Sequence, residues 1–489
     1  MLAVEPASLL GFASWSGDEG GRMQLVGRSA TELATAVRSG EASAVEVVRA
    51  HLDHLAEVEH RLGAFVSVRR RGALEDAEGI DTRTDRSELP LAGVPVAVKD
   101  VGDVAGEPTR HGSLATSNEP ATEDDPAVRR LRDAGAVILG KTRCPELSVW
   151  GTSDEPSGTT VSPWDPTRTA GGSSGGSGAA VGAGVVPIAL ASDGHGSIRV
   201  PAAANGAVGI RPGADLAPEM LAGEHRWFGM SRLGPIATTV EDAALALDVI
   251  AGTDHLRELI EVPDGLRVAV SFRPPAPGVV VTSAWREAAL EAGRLLHHAG
   301  HDVHRDDPPF DPSSVQAVLS RWTQGAVRDA ELLDLDRDLL QARTRSHIAR
   351  GEQFARVRPV DEEDAIDWRT RVAPFLRDHD VLITPTFART QPAASEWRNK
   401  TWVANVASIL STYPFCTHWN LADVPAAVVP LWHDGGRPLS VQIVAGQGRE
   451  SLVLAVARLL ESLVPWQRHA PGWGVPGTGT SLAVDTDAE

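Results

Sequence analysis

A segment rich in glycine and serine at residues 165–184, DPTRTAGGSSGGSGAAVGAG, constrains the fold more than any other part of this sequence. It continues without a break into the apolar run VVPIALA, which has to be buried. The segment therefore cannot be a flexible linker on the surface. Its small residues allow two backbones, or a backbone and a ligand, to approach closely. Because buried hydroxyls need hydrogen-bond partners, this loop indicates a polar site inside the protein.

The flanking sequence predicts an α/β fold. Apolar residues at helical spacing predict helices within 31–59 and at 240–252, with Gly40 ending the first and Ser43 capping the next. The run GVPVAVKD predicts a buried strand that ends at Lys99. Alternation of helix and strand is typical of a central sheet flanked by helices. Later strands are predicted for VLITPTF, DVPAAVVPLW and LSVQIVAG.

The domain boundaries are predicted where the alternation of helices and strands is no longer recognisable. Residues 1–22 are predicted to be a disordered extension and residues 476–489 a loose tail. Residues 23–475 are predicted to form a single domain, within which about 305–380 are rich in Arg and Asp and could form a helical cap over the site. The N-terminus makes a poor signal peptide and no apolar run is long enough to span a membrane, so we expect a cytoplasmic protein.

Charge and cysteine content exclude several classes of function. The net charge of -19 repels phosphate backbones, so we expect no nucleic-acid partner. Cys144 and Cys416 are the only two cysteines, which is too few for a disulfide framework and fits a reducing compartment. Neither has the neighbours of a zinc site, so we predict structural roles for both thiols, no metal and no cofactor.

Lys99 is a candidate base. The chain has three lysines, Lys99, Lys141 and Lys400, against 43 arginines, so the lysines that remain are candidates for chemistry. Burial at the end of an apolar strand should lower the pKa of a lysine, and a neutral amine can accept a proton. A lysine whose amine reaches solvent at the strand end is the structural alternative.

The turn SDGHGSIRVPA at 192–202 is a second candidate for chemistry. Gly194 and Gly196 flank His195, and their backbone amides could form a nest for a developing oxyanion beside Ser197. Asp193 and Arg199 bracket the turn and could pair to stiffen it. The GGSSG match to G-x-S-x-G is not a nucleophile elbow because no strand precedes it, and no G-K-[ST] follows for a phosphate loop.

Taken together, GVPVAVKD, GGSSGGS and DGHGSIR resemble the amidase signature family. Ser173 and Ser197 lie 24 positions apart, which matches that family. The runs AVILGKT, WDPTRT, RLGPIATTVEDAALALDVIAG, LITPTF, NLADVPAAVVPL and SVQIVAG also resemble family landmarks, so the likeness covers most of residues 30–470. The resemblance implies an amidase signature fold, which is a large mixed sheet flanked by helices.

The resemblance also implies a mechanism. Lys99 would take a proton from Ser173, which would take one from Ser197, and Ser197 would attack a linear amide to form an acyl-enzyme. The oxyanion would lie against the amides of Gly194, His195 and Gly196, with Asp193, Arg199 and Ser174 as supporting residues. The implied partner is a small or peptide-like amide, with no membrane partner and a homodimer as the default assembly.

Several features depart from the family pattern and leave alternatives open. His195 stands where the family usually has glycine, and we expect it to narrow the substrate range or obstruct the site. Trp150, Trp227 and Phe228 could line an apolar pocket. The alternatives to an amidase are a glutamine amidotransferase-type subunit, an acyl-transferring biosynthetic enzyme and a homologue whose activity is altered by His195.

Overall fold

The computed structural model describes residues 25–216, 227–258 and 261–475, so the predicted extension at 1–22 and tail at 476–489 lie outside it. The described chain forms a mixed sheet of eleven strands flanked by helices, which confirms the predicted fold class. The strands are β1 Phe65–Val68, β2 Pro95–Lys99, β3 Val137–Thr142, β6 Ile188–Asp193, β7 Val208–Arg211, β8 Arg232–Ala237, β9 Arg267–Val270, β10 Asp302–Arg305, β11 Val381–Pro385, β12 Ala426–Asp434 and β13 Arg437–Val444, with β4 Asp154–Glu155 and β5 Gly158–Thr159 forming a separate hairpin.

Helices cover both faces of this sheet, and those around a second apolar cluster form a second layer that packs against one face of its later strands. They are α1 Ala30–Ser39, α2 Ala44–Leu62, α3 Arg70–Thr82, α4 Pro126–Asp133, α5 Gly175–Gly182, α6 Arg199–Ala204, α7 Val240–Ala251, α8 Ser283–His298, α9 Pro312–Leu332, α10 Ala342–Val357, α11 Glu362–Asp378, α12 Trp402–Thr412, α13 Thr417–Ala422 and α14 Glu450–Leu463. Within the described residues, no helix combines the length and apolar character needed to cross a bilayer.

The local signals in the sequence set the boundaries of the first two helices as predicted. Ser43 caps α2 by accepting from the amide of Glu46, whose carboxylate accepts in turn from the Ser43 amide. Gly40 ends α1 in the left-handed conformation, at φ 79°. Both helices then pack their apolar faces into the main hydrophobic core.

The strand order is β1-β3-β2-β6-β8-β7-β12-β13-β11-β9-β10. The neighbours β2 and β6 run parallel, with Val98 opposite Leu190. Since parallel strands end at the same edge of a sheet, the last residues of β2 and β6 lie side by side. This register brings Lys99, at the end of β2, to Ser192 and Asp193 at the end of β6.

Residues 305–380, where the sequence predicts a helical cap, contain α9, α10 and α11. These helices pack with α12 and α13 around a second apolar cluster, which includes Trp150, Trp322, Trp368 and Trp419. The cluster also contains Trp227, which follows β7 in the chain. This second layer is the part of the molecule that faces the carboxyl end of β6.

Candidate active site

Lys99 is buried at the end of β2, with 1% of its surface exposed. Its Nζ donates to Ser173 Oγ at 2.6 Å and to Ser192 Oγ at 2.9 Å. The carboxylate next in sequence, Asp100, pairs with Lys141, with Oδ1 3.1 Å from its Nζ. The amine of Lys99 is therefore directed at two hydroxyls. Sequence reasoning missed Ser192, the next-to-last residue of β6, because no local pattern shows that β2 and β6 are neighbours.

Ser173 lies in the glycine- and serine-rich loop just before α5, and a cis peptide bond joins it to Gly172. Ser153 fixes this loop: its hydroxyl donates to the carbonyls of Gly171 (3.0 Å) and Ser173 (3.2 Å) and accepts from the amide of Gly175 (2.9 Å). A Cβ at Gly172 would lie 2.6 Å from the carbonyl oxygen of Trp150. The small residues thus serve close backbone approach, as the sequence indicated.

Ser197 follows β6 on a turn organised by the buried carboxylate of Asp193. Oδ1 of Asp193 accepts from the amide of Gly196 at 2.6 Å, and Oδ2 accepts from that of Ile198 at 3.2 Å. Arg199 adds a two-point ion pair through Nε (2.9 Å) and Nη2 (3.0 Å). Burial alone would raise the pKa of Asp193, but the Arg199 guanidinium outweighs it and holds that pKa far below its usual range.

A polar cage on the later strands and helices supports this ion pair, and sequence reasoning missed it. Arg199 Nη1 donates to Gln442 Oε1 at 2.7 Å and Nη2 to Asn420 Oδ1 at 2.6 Å. Asn420 Nδ2 donates to Asp193 Oδ1 at 2.8 Å. Gln442 and Asn420 lie more than 200 residues from Arg199 in the chain, so no local motif identifies them. The supporting Ser174 donates to the carbonyl of Ser192 at 3.2 Å.

The three predicted oxyanion residues differ in whether their backbone amides already have a hydrogen-bond acceptor. The Gly196 amide is engaged by Asp193, so it is not free to donate to a ligand. Among the described residues, the amides of Gly194, His195 and Ser197 have no acceptor. The turn requires glycine at position 196, because its φ is 99° and a Cβ there would lie 2.7 Å from the Cβ of Cys416.

A small cavity joins the candidate residues. Its volume is about 10 Å³, which is close to the ~10–15 Å³ that one water molecule needs. In this cavity Ser173 and Ser197 face the same space, although among the described residues no hydrogen bond links their hydroxyls. The lining residues are Leu147, Ser148, Ser173, Ser192, Gly194, Ser197, Trp227 and Ser231.

One wall of the cavity has an unusual backbone. Leu147 and Ser148 are consecutive residues other than glycine in the left-handed conformation, at φ 52° and 58°. Ser148 Oγ is buried beside the thiol of Cys144, at the wall of the cavity. Strained backbone of this kind is concentrated at functional sites. Ser148 is thus a further candidate for contact with a substrate, and nothing in the sequence pattern pointed to it.

His195 packs away from the reacting hydroxyls. Its ring lies 5.1 Å from that of Trp322, and its Nδ1 is 3.2 Å from Thr417 Oγ1. Burial lowers the pKa of His195 to about 4, so the ring is neutral near pH 7. Its backbone does not adopt a positive φ, so histidine is accommodated here without the strain that the sequence led us to consider.

The three aromatic residues predicted to line a pocket have different positions. Trp227 lines the cavity, whereas Trp150 packs against Trp322 and donates to Thr344 Oγ1 at 3.1 Å. Phe228 lies under the guanidinium of Arg328, 5.5 Å from it. Of the predicted aromatic lining, Trp227 is therefore the residue in contact with the site.

The thiols and potential metal ligands offer no second reactive centre in the described part of the chain. Burial raises the pKa of both Cys144 and Cys416 to about 12, which leaves the thiols protonated near pH 7. In residues 25–216, 227–258 and 261–475, no group of three or more His, Cys, Asp or Glu side chains is arranged to hold a metal ion.

Comparison with known proteins agrees with this geometry. The model of the Amidase family matches residues 46–454. A Mycobacterium tuberculosis protein named as the candidate amidase AmiB2 is 38% identical over 455 residues, covering 90% of this chain and 97% of that protein. The acylamidase of Rhodococcus erythropolis is 33% identical, with 91% and 97% coverage.

Solved structures of similar proteins share the fold of this chain. The chain superposes on a 6-aminohexanoate cyclic dimer hydrolase with a TM-score of 0.82 and 29% identity, covering 91% of this chain and 99% of that one. The shared fold thus extends over most of the chain. The family match, the named relatives and the site geometry lead to one conclusion: this chain belongs to the amidase signature family of amide-bond hydrolases.

Proposed function

We propose that the chain hydrolyses a small linear amide through Lys99, Ser173 and Ser197, with Ser197 as the nucleophile. The observation that carries the proposal is the buried amine of Lys99, 2.6 Å from a hydroxyl that shares a cavity with Ser197. A serine hydroxyl is a weak nucleophile unless an adjacent base accepts its proton. Lys99 is positioned to act as that base, with Ser173 relaying the proton.

The proton would travel along two hydrogen bonds. Neutral Lys99 accepts a proton from Ser173 as Ser173 accepts one from Ser197, and Ser197 Oγ forms a bond to the amide carbon. The same groups return the proton to the departing amine, and water then releases the acyl group by the reverse route. The second link, from Ser197 to Ser173, has to form with substrate bound, since catalytic hydrogen bonds often tighten only in the Michaelis complex.

Two features of the site favour this chemistry over an inert pocket. Asp100 pairs with Lys141 at 3.1 Å, whereas the amine of Lys99 is directed at the hydroxyls of Ser173 and Ser192. The amides of Gly194 and His195 stay available for the oxyanion, and removal of one such donor typically costs about 10²–10³ in rate. We therefore assign oxyanion binding to Gly194 and His195 rather than to the engaged amide of Gly196.

The substrate class is inferred from the relatives and the cavity. One relative is named as an acylamidase and one structural neighbour as a hydrolase of a cyclic dimer. The cavity of about 10 Å³ at Ser197 has to widen before a substrate binds. We propose a linear amide with a short group beside the carbonyl, because a short group requires the least widening.

Labelling with a fluorophosphonate, located by peptide mass, tests the proposal. We expect an adduct on Ser197 that disappears in Ser197→Ala and forms on the order of 10³-fold more slowly in Lys99→Ala and Ser173→Ala. Ser177→Ala is the matched control, because Ser177 lies in α5 directly after this loop and its hydroxyl bonds Thr142 Oγ1 at 2.7 Å instead. Folded wild-type protein that carries no adduct on Ser197 would contradict the proposal.

A further inference from the structure

The cavity at Ser197 is too small for the proposed substrate. Its volume of about 10 Å³ accommodates one water molecule, whereas pockets that bind small molecules usually have ~300–1,000 Å³. Even the smallest amide is larger than a water molecule. At least one wall must therefore move before an amide carbonyl can reach Ser197 Oγ.

Most of the walls are fixed by the core. Ser173 is tied by Lys99 and by the Ser153 contacts, and Ser192 belongs to β6 in the middle of the sheet. The turn bearing Ser197 is held by the buried pair of Asp193 and Arg199. Trp227 differs from these residues, since it precedes β8 and reaches the cavity from outside the sheet.

The indole of Trp227 lies between two glycines. A Cβ at Gly194 would lie 2.9 Å from Cε3 of the ring, and a Cβ at Gly325 would lie 3.0 Å from its Cδ1. Gly194 belongs to the proposed oxyanion turn and Gly325 to α9 of the second layer. The ring thus fills the gap between the site and the second layer, over the amide that is proposed to bind the substrate.

Side-chain contacts, rather than backbone preference, hold Trp227 in this position. Trp227, Phe228 and Gly229 are all left-handed, at φ 54°, 52° and 82°. Such a conformation is unfavourable at each residue other than glycine. The opposing contact is a hydrogen bond of 2.9 Å from Nε1 of Trp227 to Oδ2 of Asp329 on α9. Release of the ring would break one hydrogen bond to a carboxylate.

We propose that Trp227 is the specificity-determining residue of this enzyme: its indole closes the space beside Ser197, and its displacement from Gly194 admits the group attached to the reacting carbonyl. The inference rests on the proposed function of Ser197. Amides with a small group on that side need little displacement, whereas amides with a bulky aryl or alkyl group react only from the displaced state. The bond to Asp329 sets how often that state occurs.

Two fluorophosphonates, one with a methyl and one with a bulky aryl substituent, test the inference without knowledge of the natural substrate. The measured quantity is the ratio of labelling rates at Ser197, bulky over small. We expect this ratio to rise about tenfold or more in Trp227→Ala. In Trp227→Phe it should rise by a smaller factor, because a smaller aromatic ring still occupies part of the gap while the bond to Asp329 is lost. Phe228→Ala is the matched control, with an unchanged ratio.

The outcomes separate the inference from the proposed function. If wild type is labelled at Ser197 and both Trp227 variants keep its ratio within about twofold, the role of Trp227 is refuted while the proposed function stands. If no variant is labelled by either probe, the nucleophile itself is wrong and the inference falls with it. Trp227→Phe preserves most of the packing, so it decides the question even where Trp227→Ala does not fold.

Discussion

Asp193→Asn is the substitution whose effect is best defined by the structure. It keeps the size of the side chain and removes one negative charge from a site with 0% exposure. The amides of Gly196 and Ile198 and the guanidinium of Arg199 all donate to this carboxylate. After the substitution, the buried Arg199 has no anion opposite it.

The expected loss follows from that uncompensated charge. Removal of one partner from a buried ion pair typically costs about 3–5 kcal/mol, which is a large share of the ~5–15 kcal/mol that stabilises a folded protein. Replacement of Arg199 by Met in the same protein removes the stranded charge. The double variant should therefore be less destabilised than additivity of the two single substitutions predicts.

Urea unfolding at neutral pH measures these free energies. Glu41→Gln provides the control, because Glu41 forms an ion pair with Arg28 at the surface with its side chain 59% exposed, and such pairs contribute at most about 1 kcal/mol. Because the pKa of Asp193 is lowered in the folded state, its contribution is present above the pKa of an unfolded aspartate and is lost as the pH falls. The difference between wild type and Asp193→Asn should therefore shrink below about pH 4.

A cost below about 1 kcal/mol for Asp193→Asn, equal to that of the surface control, would refute the reasoning. It would mean that water or a rearranged Asn420 solvates Arg199 after the charge is removed. A loss of full size with no recovery in the double variant would also contradict it, since the stranded guanidinium is then not the cause.

Three further predictions concern the site and His418, which packs against Phe310 and Trp368 in the second layer. Gly196→Ala should slow fluorophosphonate labelling of Ser197 by more than about tenfold and lower the urea midpoint, since φ is 99° and the new Cβ would lie 2.7 Å from that of Cys416. Ser192→Ala removes one of two hydroxyls bonded to Lys99 and should slow labelling by about 2–10-fold, measured across a pH series. Burial lowers the pKa of His418 to about 3, so only the unfolded state binds a proton at this residue as the pH falls from about 6.5. Acid should therefore destabilise wild type more steeply than His418→Phe, by at most about 1.4 kcal/mol per pH unit, as measured by urea unfolding across a pH series.

The sequence by itself determined the elements and the likeness to the family. Helix limits came from local signals, such as the Ser43 cap and Gly40, because a cap acts within one turn of its own residue. Strand β2 and its terminal Lys99 came from a run of buried β-branched residues. The loop at Ser173 and the turn at Ser197 were recognisable because close backbone approach demands glycine and serine at fixed positions.

Only the tertiary structure decided which groups meet. Ser192 contacts Lys99 because β2 and β6 are parallel neighbours, and Asn420 reaches Asp193 across 227 positions of the chain. The use of the Gly196 amide by Asp193 and the place of Trp227 between Gly194 and α9 depend on the same packing. A local pattern records which backbone shapes a segment can adopt, whereas a hydrogen bond between distant segments depends on the register and packing of the whole sheet.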